Sequence, residues 1–163
     1  MDNSIKTELW KQFGAAIDMF ENALFKCPVK LWDNESKFWY IAYHTLFFLD
    51  FYLTEEPGKF APPDPYTLSE LDEPLTMPDR VYTKEELISY THHCREKCRK
   101  LIAELTPEKM ANRWIDDSRN YSLFEIMLYN MRHVQHHTGQ LNLLLGKMDH
   151  ELPVWVSQTK MDL

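Results

Sequence analysis

Two histidines four positions apart are the strongest chemical signal in this sequence. His133 and His137 lie in the segment 130–140, which is predicted to be the middle of a helix. Residues four apart on a helix lie about one turn above each other, so both imidazoles can bind the same metal ion. Two imidazoles bind a metal ion weakly, and a genuine site therefore needs a third ligand from another helix.

His44 is the best candidate for the third ligand. It lies about halfway along an apolar helix, and its neighbours on that face are Tyr40, Ile41, Phe47 and Phe48. The pattern predicts one divalent metal ion on His44, His133 and His137, at one depth among the helices. Taken singly, a histidine on an apolar helix is more often a hydrogen-bonded core residue, and a pair at this spacing is common on solvated helices. The three together favour the metal site.

Three neighbours on the same predicted helix can assist the ligands. Tyr129, one turn before His133, and Gln140, about one turn after His137, share the ligand face and can orient ligands or substrate by hydrogen bonding. Ordinary polar packing is an equal alternative for both. His136 projects about 100° away from His137 around the helix, so we expect it to support the ligands from outside or to be exposed.

The remaining polar candidates have simpler explanations. His92, His93 and His150 lack partners at helical spacing, and we expect them at the surface. Asp116 and Asp117 can reach the mouth of a site, although helix capping or solvation explains them more simply. No clear general base accompanies the histidines, and the catalytic residues stay unknown.

The three cysteines are expected to be reduced thiols. Cys27, Cys94 and Cys98 form an odd set without a zinc-ribbon or CxxC spacing. Cys94 and Cys98 are four apart on a predicted helix, so a thiolate metal pair is conceivable, but buried free thiols are the more common outcome.

Length and charge limit the classes of function. A chain of 163 residues fits one domain, and a net charge of −7, from 25 acidic and 18 basic side chains, argues against nucleic acid as a partner. No apolar run approaches the roughly 20 residues of a membrane span, and the first residues do not resemble a signal peptide. These features predict a cytoplasmic protein without a membrane partner.

Four helices must position the histidines. Apolar periodicity, breakers and the capping pairs Thr83 with Glu86 and Ser122 with Glu125 predict helices over about 4–25, 35–53, 83–104 and 122–145. Residues 54–82 hold six of the nine prolines and are predicted to be a long crossover, and Thr106-Pro107-Glu108 is predicted to start a short turn of helix. Gly146 is a predicted helix stop, and the tail 147–163 can pack on the helices or on a second subunit. The expected fold is a single all-α domain over 1–163, a four-helix bundle with a long crossover between its second and third helices.

These motifs resemble the DinB superfamily of DinB/YfiT-like bundles. The likeness rests on the single histidine in Tyr43-His44-Thr45-Leu46 and on the block from His133 to Leu141, which is similar to the HxxxHRGQL block of that family. The resemblance implies an up-down-down-up helix order, a homodimer, and nickel or zinc bound with open positions for water. Thr138 stands where many relatives have arginine, so any role of that arginine in holding an anionic group is in doubt here.

The resemblance implies two kinds of chemistry. A metal ion on three neutral imidazoles stays strongly electron-withdrawing and lowers the pKa of a thiol or a water molecule in its open position. Transfer of a low-molecular-weight thiol such as bacillithiol is the first expectation, and metal-dependent hydrolysis is the second. A non-catalytic bundle for stress-related binding is the third. Iron and manganese are also compatible with imidazole ligands.

Overall fold

The computed structural model describes residues 3–72, 76–148 and 151–163, and within them the fold is almost entirely helical. In chain order the elements are α1 (Asn3–Lys26), α2 (Val29–Trp32), α3 (Phe38–Tyr52), α4 (Lys84–Ala103), α5 (Pro107–Ala111), β1 (Arg113–Ile115), β2 (Asn120–Ser122) and α6 (Leu123–Lys147). Short 3₁₀ turns form at Pro57–Lys59 and Ser69–Leu71. The two strands pair as one antiparallel hairpin. The predicted all-α class is confirmed.

Four long helices enclose the hydrophobic core. Helices α1 and α3 each pack against both α4 and α6. The buried residues of α6 follow helical spacing: Leu123, Ile126, Met127, Asn130, Val134, Thr138, Leu141 and Leu145. The neighbouring stripe with His133 and His137 is therefore only half buried, on the flank of α6 that meets α3.

The predicted second helix differs most from the structure. It was expected over 35–53, but α3 begins at Phe38, after Lys37 adopts the left-handed conformation with φ 50° and ψ 51°. An extra single turn, α2, precedes it. Tertiary contacts hold this turn, because Leu31 is buried and the Trp32 indole N–H donates to the Tyr82 carbonyl at 2.9 Å.

The described parts of the crossover, 54–72 and 76–82, are largely irregular, as the prolines predict, apart from the two 3₁₀ turns. Buried tyrosines fix its path. The Tyr66 hydroxyl donates to the Glu86 carbonyl at 2.7 Å, and the Tyr66 ring stacks on Tyr90 with centroids 4.2 Å apart. Tyr43 of α3 donates to the Thr67 carbonyl at 3.2 Å. The segment just before the turn Ser69–Leu71 is thus held beside α3.

The capping residues set the starts of α4 and α6. Thr83 and Glu86 form a complete capping box, and the Ser122 hydroxyl accepts from the Glu125 N–H. The short turn predicted at Thr106-Pro107-Glu108 is α5. Gly146 does not end α6, which continues to Lys147. The hairpin between α5 and α6 was not predicted.

The described part of the tail packs on α1. The Thr159 N–H donates to the Lys11 carbonyl at 3.0 Å, and the Trp10 indole N–H donates to the Met161 carbonyl at 2.8 Å. A Cβ on Gly14 would lie 2.5 Å from Thr159 Cγ2, so the tail crosses α1 where a side chain is missing. His150 lies outside the described residues. In the described ranges, no helix has both the length and the apolar character needed to span a membrane.

Candidate metal centre

The structure brings His44, His133 and His137 together between α3 and α6. The ring centroid of His44 lies 5.5 Å from that of His133 and 4.9 Å from that of His137, and the two α6 rings are 4.5 Å apart. One nitrogen from each ring can be chosen so that all three lie within 4.8 Å of one another. All three side chains are half buried. Among the described residues this is the only histidine, cysteine or carboxylate group of three or more that could hold a metal ion.

Glu70 sets the orientation of His44. A carboxylate oxygen of Glu70 lies 2.6 Å from His44 Nδ1, and the Glu70 side chain is completely buried. A carboxylate accepts hydrogen bonds, so this contact places the His44 proton on Nδ1 and leaves the lone pair on Nε2. Glu70 was not a candidate from the sequence, because it lies 26 residues from His44 in an irregular segment.

Gln140 has the same relation to His137. The His137 Nδ1–H donates to Gln140 Oε1 at 2.7 Å, which leaves the lone pair on Nε2 of His137. The Gln140 amide N–H in turn donates to His136 Nε2 at 3.3 Å. His136 is exposed, and its ring centroid is 4.9 Å from that of His137. The structure therefore places Gln140 and His136 in a chain of hydrogen bonds behind one histidine.

The two ring nitrogens of His133 have different surroundings. Its Nε2 lies 3.1 Å from Nε2 of His137, while its buried Nδ1 has no hydrogen-bond partner in the described part of the chain. Burial first, and then the neighbouring imidazoles of His137 and His44, lower the pKa of His133 to about 3. Burial also lowers the pKa of His137. Both rings are neutral near pH 7, the form that binds a metal ion.

Aromatic rings surround the cluster. Phe48 lies 4.8 Å from His44 and 5.7 Å from His133, measured between centroids, and Tyr52 lies 5.9 Å from His133. Tyr129 packs edge-on against Tyr52 at 5.3 Å, and its hydroxyl accepts a long hydrogen bond of 3.5 Å from Arg119. Tyr129 thus supports Tyr52 and has no described hydrogen bond to a histidine.

The remaining sequence candidates form no described hydrogen bond to the three histidines, although Asp116 and Asp117 line a cleft that also contains Glu70. Asp116 caps its own hairpin turn by accepting from the Ser118 and Arg119 N–H groups, and it pairs with the Arg119 guanidinium at 2.8 Å. Asp117 is exposed. His92 and His93 are exposed on α4, as predicted.

Two further side-chain predictions can be compared with the structure. The three cysteines are free and buried, as expected. Thr138, at the position of the family arginine, is buried and donates to the Val134 carbonyl at 2.8 Å. A Cβ on Gly139 would meet nothing within 4 Å, so this glycine does not mark a close approach of another segment.

Two clefts lie close to the site, and one of them has histidine in its wall. A groove of about 590 Å³ between α1, α6 and the tail has His133 in its wall, beside Arg132 and the apolar Ala15 and Met19. A second cleft of about 760 Å³ lies between the crossover and the hairpin and is lined in part by Phe48 and Glu70. Both are large enough for a small molecule.

Comparisons of the chain with protein-family models, with curated proteins and with solved structures give no match. The likeness to the DinB superfamily rests on the residue pattern and stays a prediction. The geometry itself defines an all-α protein with a three-histidine group that could hold a metal ion.

Proposed function

We propose that this protein binds one divalent metal ion on His44, His133 and His137 and uses it to activate a small molecule. The convergence of three imidazole nitrogens within 4.8 Å carries the proposal. Two of the rings have their Nδ1 hydrogen-bonded to an acceptor, which leaves the Nε2 lone pair of each free for a metal ion. Three protein ligands leave at least one coordination position for a substrate, as in catalytic zinc sites. Nickel or zinc is the proposed ion, and iron or manganese would also suit imidazole ligands.

We assign the chain to the DinB superfamily as part of this proposal. The packing of α1 and α3 against both α4 and α6 is compatible with the proposed up-down-down-up four-helix bundle, with 54–82 as its crossover. The proposal includes a homodimer, for which Val154 and Trp155, 79% and 70% exposed, offer apolar surface. A cytoplasmic location agrees with three free cysteines.

A low-molecular-weight thiol is the proposed substrate, and this choice is supported because no general base stands free at the cluster among the described residues. A divalent ion on three neutral imidazoles supplies Lewis acidity that lowers the pKa of a neighbouring thiol or water molecule. Glu70 is the one carboxylate that hydrogen-bonds to the cluster among the described residues, and that bond occupies it at Nδ1 of His44. A thiol, with an ordinary pKa of about 8.5, needs far less help to ionise than water, at about 15.7.

The proposed reaction is an S-transfer to an electrophilic carbon. The thiol loses its proton, its sulfur forms a bond to the carbon, and the bond from carbon to the leaving group breaks. The leaving group departs with that electron pair, and the released proton balances its charge. The groove beside His133 combines apolar side chains with Arg132, and it suits an electrophile with an apolar body.

The activity is tested by following free thiol and electrophile together, with protein loaded with nickel or zinc. The variant His133→Ala is compared with His92→Ala, which removes an exposed histidine of α4. We expect thiol-dependent product from wild type and His92→Ala, and at least a tenfold loss in His133→Ala. Product formed without loss of thiol would favour the hydrolase alternative. No turnover over a broad panel, with metal bound, would favour the non-catalytic alternative.

A further inference from the structure

Glu70 is a completely buried carboxylate beside one of the three histidines. Its side chain is 0% exposed, one oxygen lies 2.6 Å from His44 Nδ1, and the other oxygen, Oε1, has no well-aligned hydrogen bond in the described ranges, although the Tyr40 hydroxyl interacts with the same carboxylate. Burying a carboxylate is costly unless a positive charge or several hydrogen bonds compensate it. A positive charge close to His44 would therefore stabilise the buried carboxylate.

We propose that Glu70 is a positioning residue of the metal site, an inference that rests on the proposed function. By accepting from Nδ1–H, it fixes His44 in the tautomer whose Nε2 lone pair is free, in a ring whose centroid lies 4.9 Å from that of His137. Its negative charge makes the imidazole a stronger donor to a cation and offsets part of the charge of a buried divalent ion. Glu70, His44 and the ion then form a carboxylate, histidine and metal series.

The segment that carries Glu70 is well held. Glu70 is the middle residue of the turn Ser69–Leu71, and the preceding residues are tied to α3 and α4 through Tyr43 and Tyr66. A positioning residue needs this support, because small errors in ligand orientation weaken a metal site. Metal binding at His44 is therefore coupled to the order of the crossover as well as to α3 and α6.

Tyr40 is a second polar neighbour of Glu70. The Tyr40 hydroxyl is buried on the same face of α3, one turn before His44. Burial, followed by the charge of Glu70 and a side-chain hydrogen bond with it, raises the pKa of Tyr40 well above its ordinary range. Tyr40 therefore stays protonated, and its hydroxyl is available to donate to the carboxylate.

The affinity test compares two variants with a matched control. Glu70→Gln keeps an acceptor but removes the charge, Glu70→Met removes both, and Asp72→Asn removes an exposed charge two residues further along. The dissociation constant of Zn²⁺ is measured by competition with a chromophoric chelator. We expect affinity to fall by about tenfold in Glu70→Gln and by up to about a hundredfold in Glu70→Met. Asp72→Asn should stay within about twofold of wild type.

A second readout does not depend on a variant or on metal. Nitrogen-15 NMR of histidine-labelled, metal-free wild type reports which nitrogen of each ring carries the proton, and His44 is expected to carry it on Nδ1. Protonation on Nε2 of His44 would overturn the inference even if the variants failed to fold. Equal Zn²⁺ affinity in wild type and both Glu70 variants would remove the role of Glu70 and leave the metal site intact. A wild-type protein that binds no metal would instead overturn the proposed function, and this inference with it.

Discussion

At the scale of single residues, the proton between His133 and His137 is the most informative detail. Because Gln140 holds the His137 proton on Nδ1, the short contact between the two Nε2 atoms needs a proton on Nε2 of His133 when no metal is present. A metal ion needs a lone pair on Nε2 of His133, so the proton must move from Nε2 to Nδ1 of that ring when the metal ion binds. Nδ1 is buried without a described partner, so a proton there has no acceptor. The tautomer that binds metal is therefore less favourable for His133 than for His44 or His137.

The cysteines give a prediction at the same scale. Burial raises the pKa of Cys27 to about 12 and raises the pKa values of Cys94 and Cys98 well above their ordinary range. The thiolate is the reactive form, so we expect no rapid reaction of the folded protein with Ellman's reagent at pH 8. Unfolding in guanidinium should release three reactive thiols per chain. A folded protein with one thiol that reacts at the unfolded rate would contradict this account of the burial.

At the scale of elements, the helix starts that were predicted well are those with a capping pair three residues apart in the sequence. Thr83 and Glu86 satisfy each other's backbone N–H groups, and Arg80 adds two hydrogen bonds to the Glu86 carboxylate at 2.9 and 2.6 Å. This arrangement starts α4 and fixes the end of the crossover that carries Glu70. Its contribution is electrostatic in part, and it should therefore depend on pH.

The capping box predicts a pH-dependent stability. The hydrogen bonds from Arg80 first, with those from Thr83, lower the pKa of Glu86 from 4.5 to about 2, although burial acts against them. The stabilisation is present above about pH 4.5 and is lost as pH falls through about 2. We expect Glu86→Gln to cost about 1 kcal/mol at pH 7, and less at pH 3, by urea unfolding. Glu85→Gln, an exposed neighbour outside the box, is the control, and an equal cost of Glu86→Gln at both pH values would refute the assignment.

Two helical glycines predict opposite effects of the same substitution. Gly139→Ala adds a methyl group where nothing lies within 4 Å, and it should stabilise the protein by about 0.5–1 kcal/mol. Gly14→Ala places its methyl group 2.5 Å from Thr159 Cγ2 and should displace the tail from α1. Thermal unfolding and proteolysis of the tail measure the two effects. A Gly14→Ala protein as stable as Gly139→Ala, with its tail still protected, would show that the tail does not dock at Gly14.

At the scale of the whole molecule, the sequence was most informative where the determinants are local. Helical periodicity and caps predicted the four long helices, and the four-residue spacing with the apolar setting of His44 predicted which histidines meet. Features that depend on tertiary contacts were missed. Helix α2 is one turn held by Leu31 and Trp32, and each strand of the hairpin has only three residues, too few for a visible alternation.

The sequence predicted only part of the site, for the same reason. Glu70 reaches His44 only because Tyr43 and Tyr66 route the crossover past α3, and no local pattern records that route. Gln140 was accessible to prediction because it shares a helix with His137, three residues away. Partners on the same helix could be predicted, and partners from an irregular segment could not.

The most direct test of the account is a Zn²⁺ titration of metal-free protein without a histidine tag, followed by calorimetry. Wild type should bind one ion per chain, because the three imidazoles form one group. His44→Ala and His133→Ala should bind at least a hundredfold more weakly, whereas His92→Ala, which removes an exposed histidine, should match wild type. Equal binding by all four proteins, or no binding by wild type, would contradict the three-histidine metal centre.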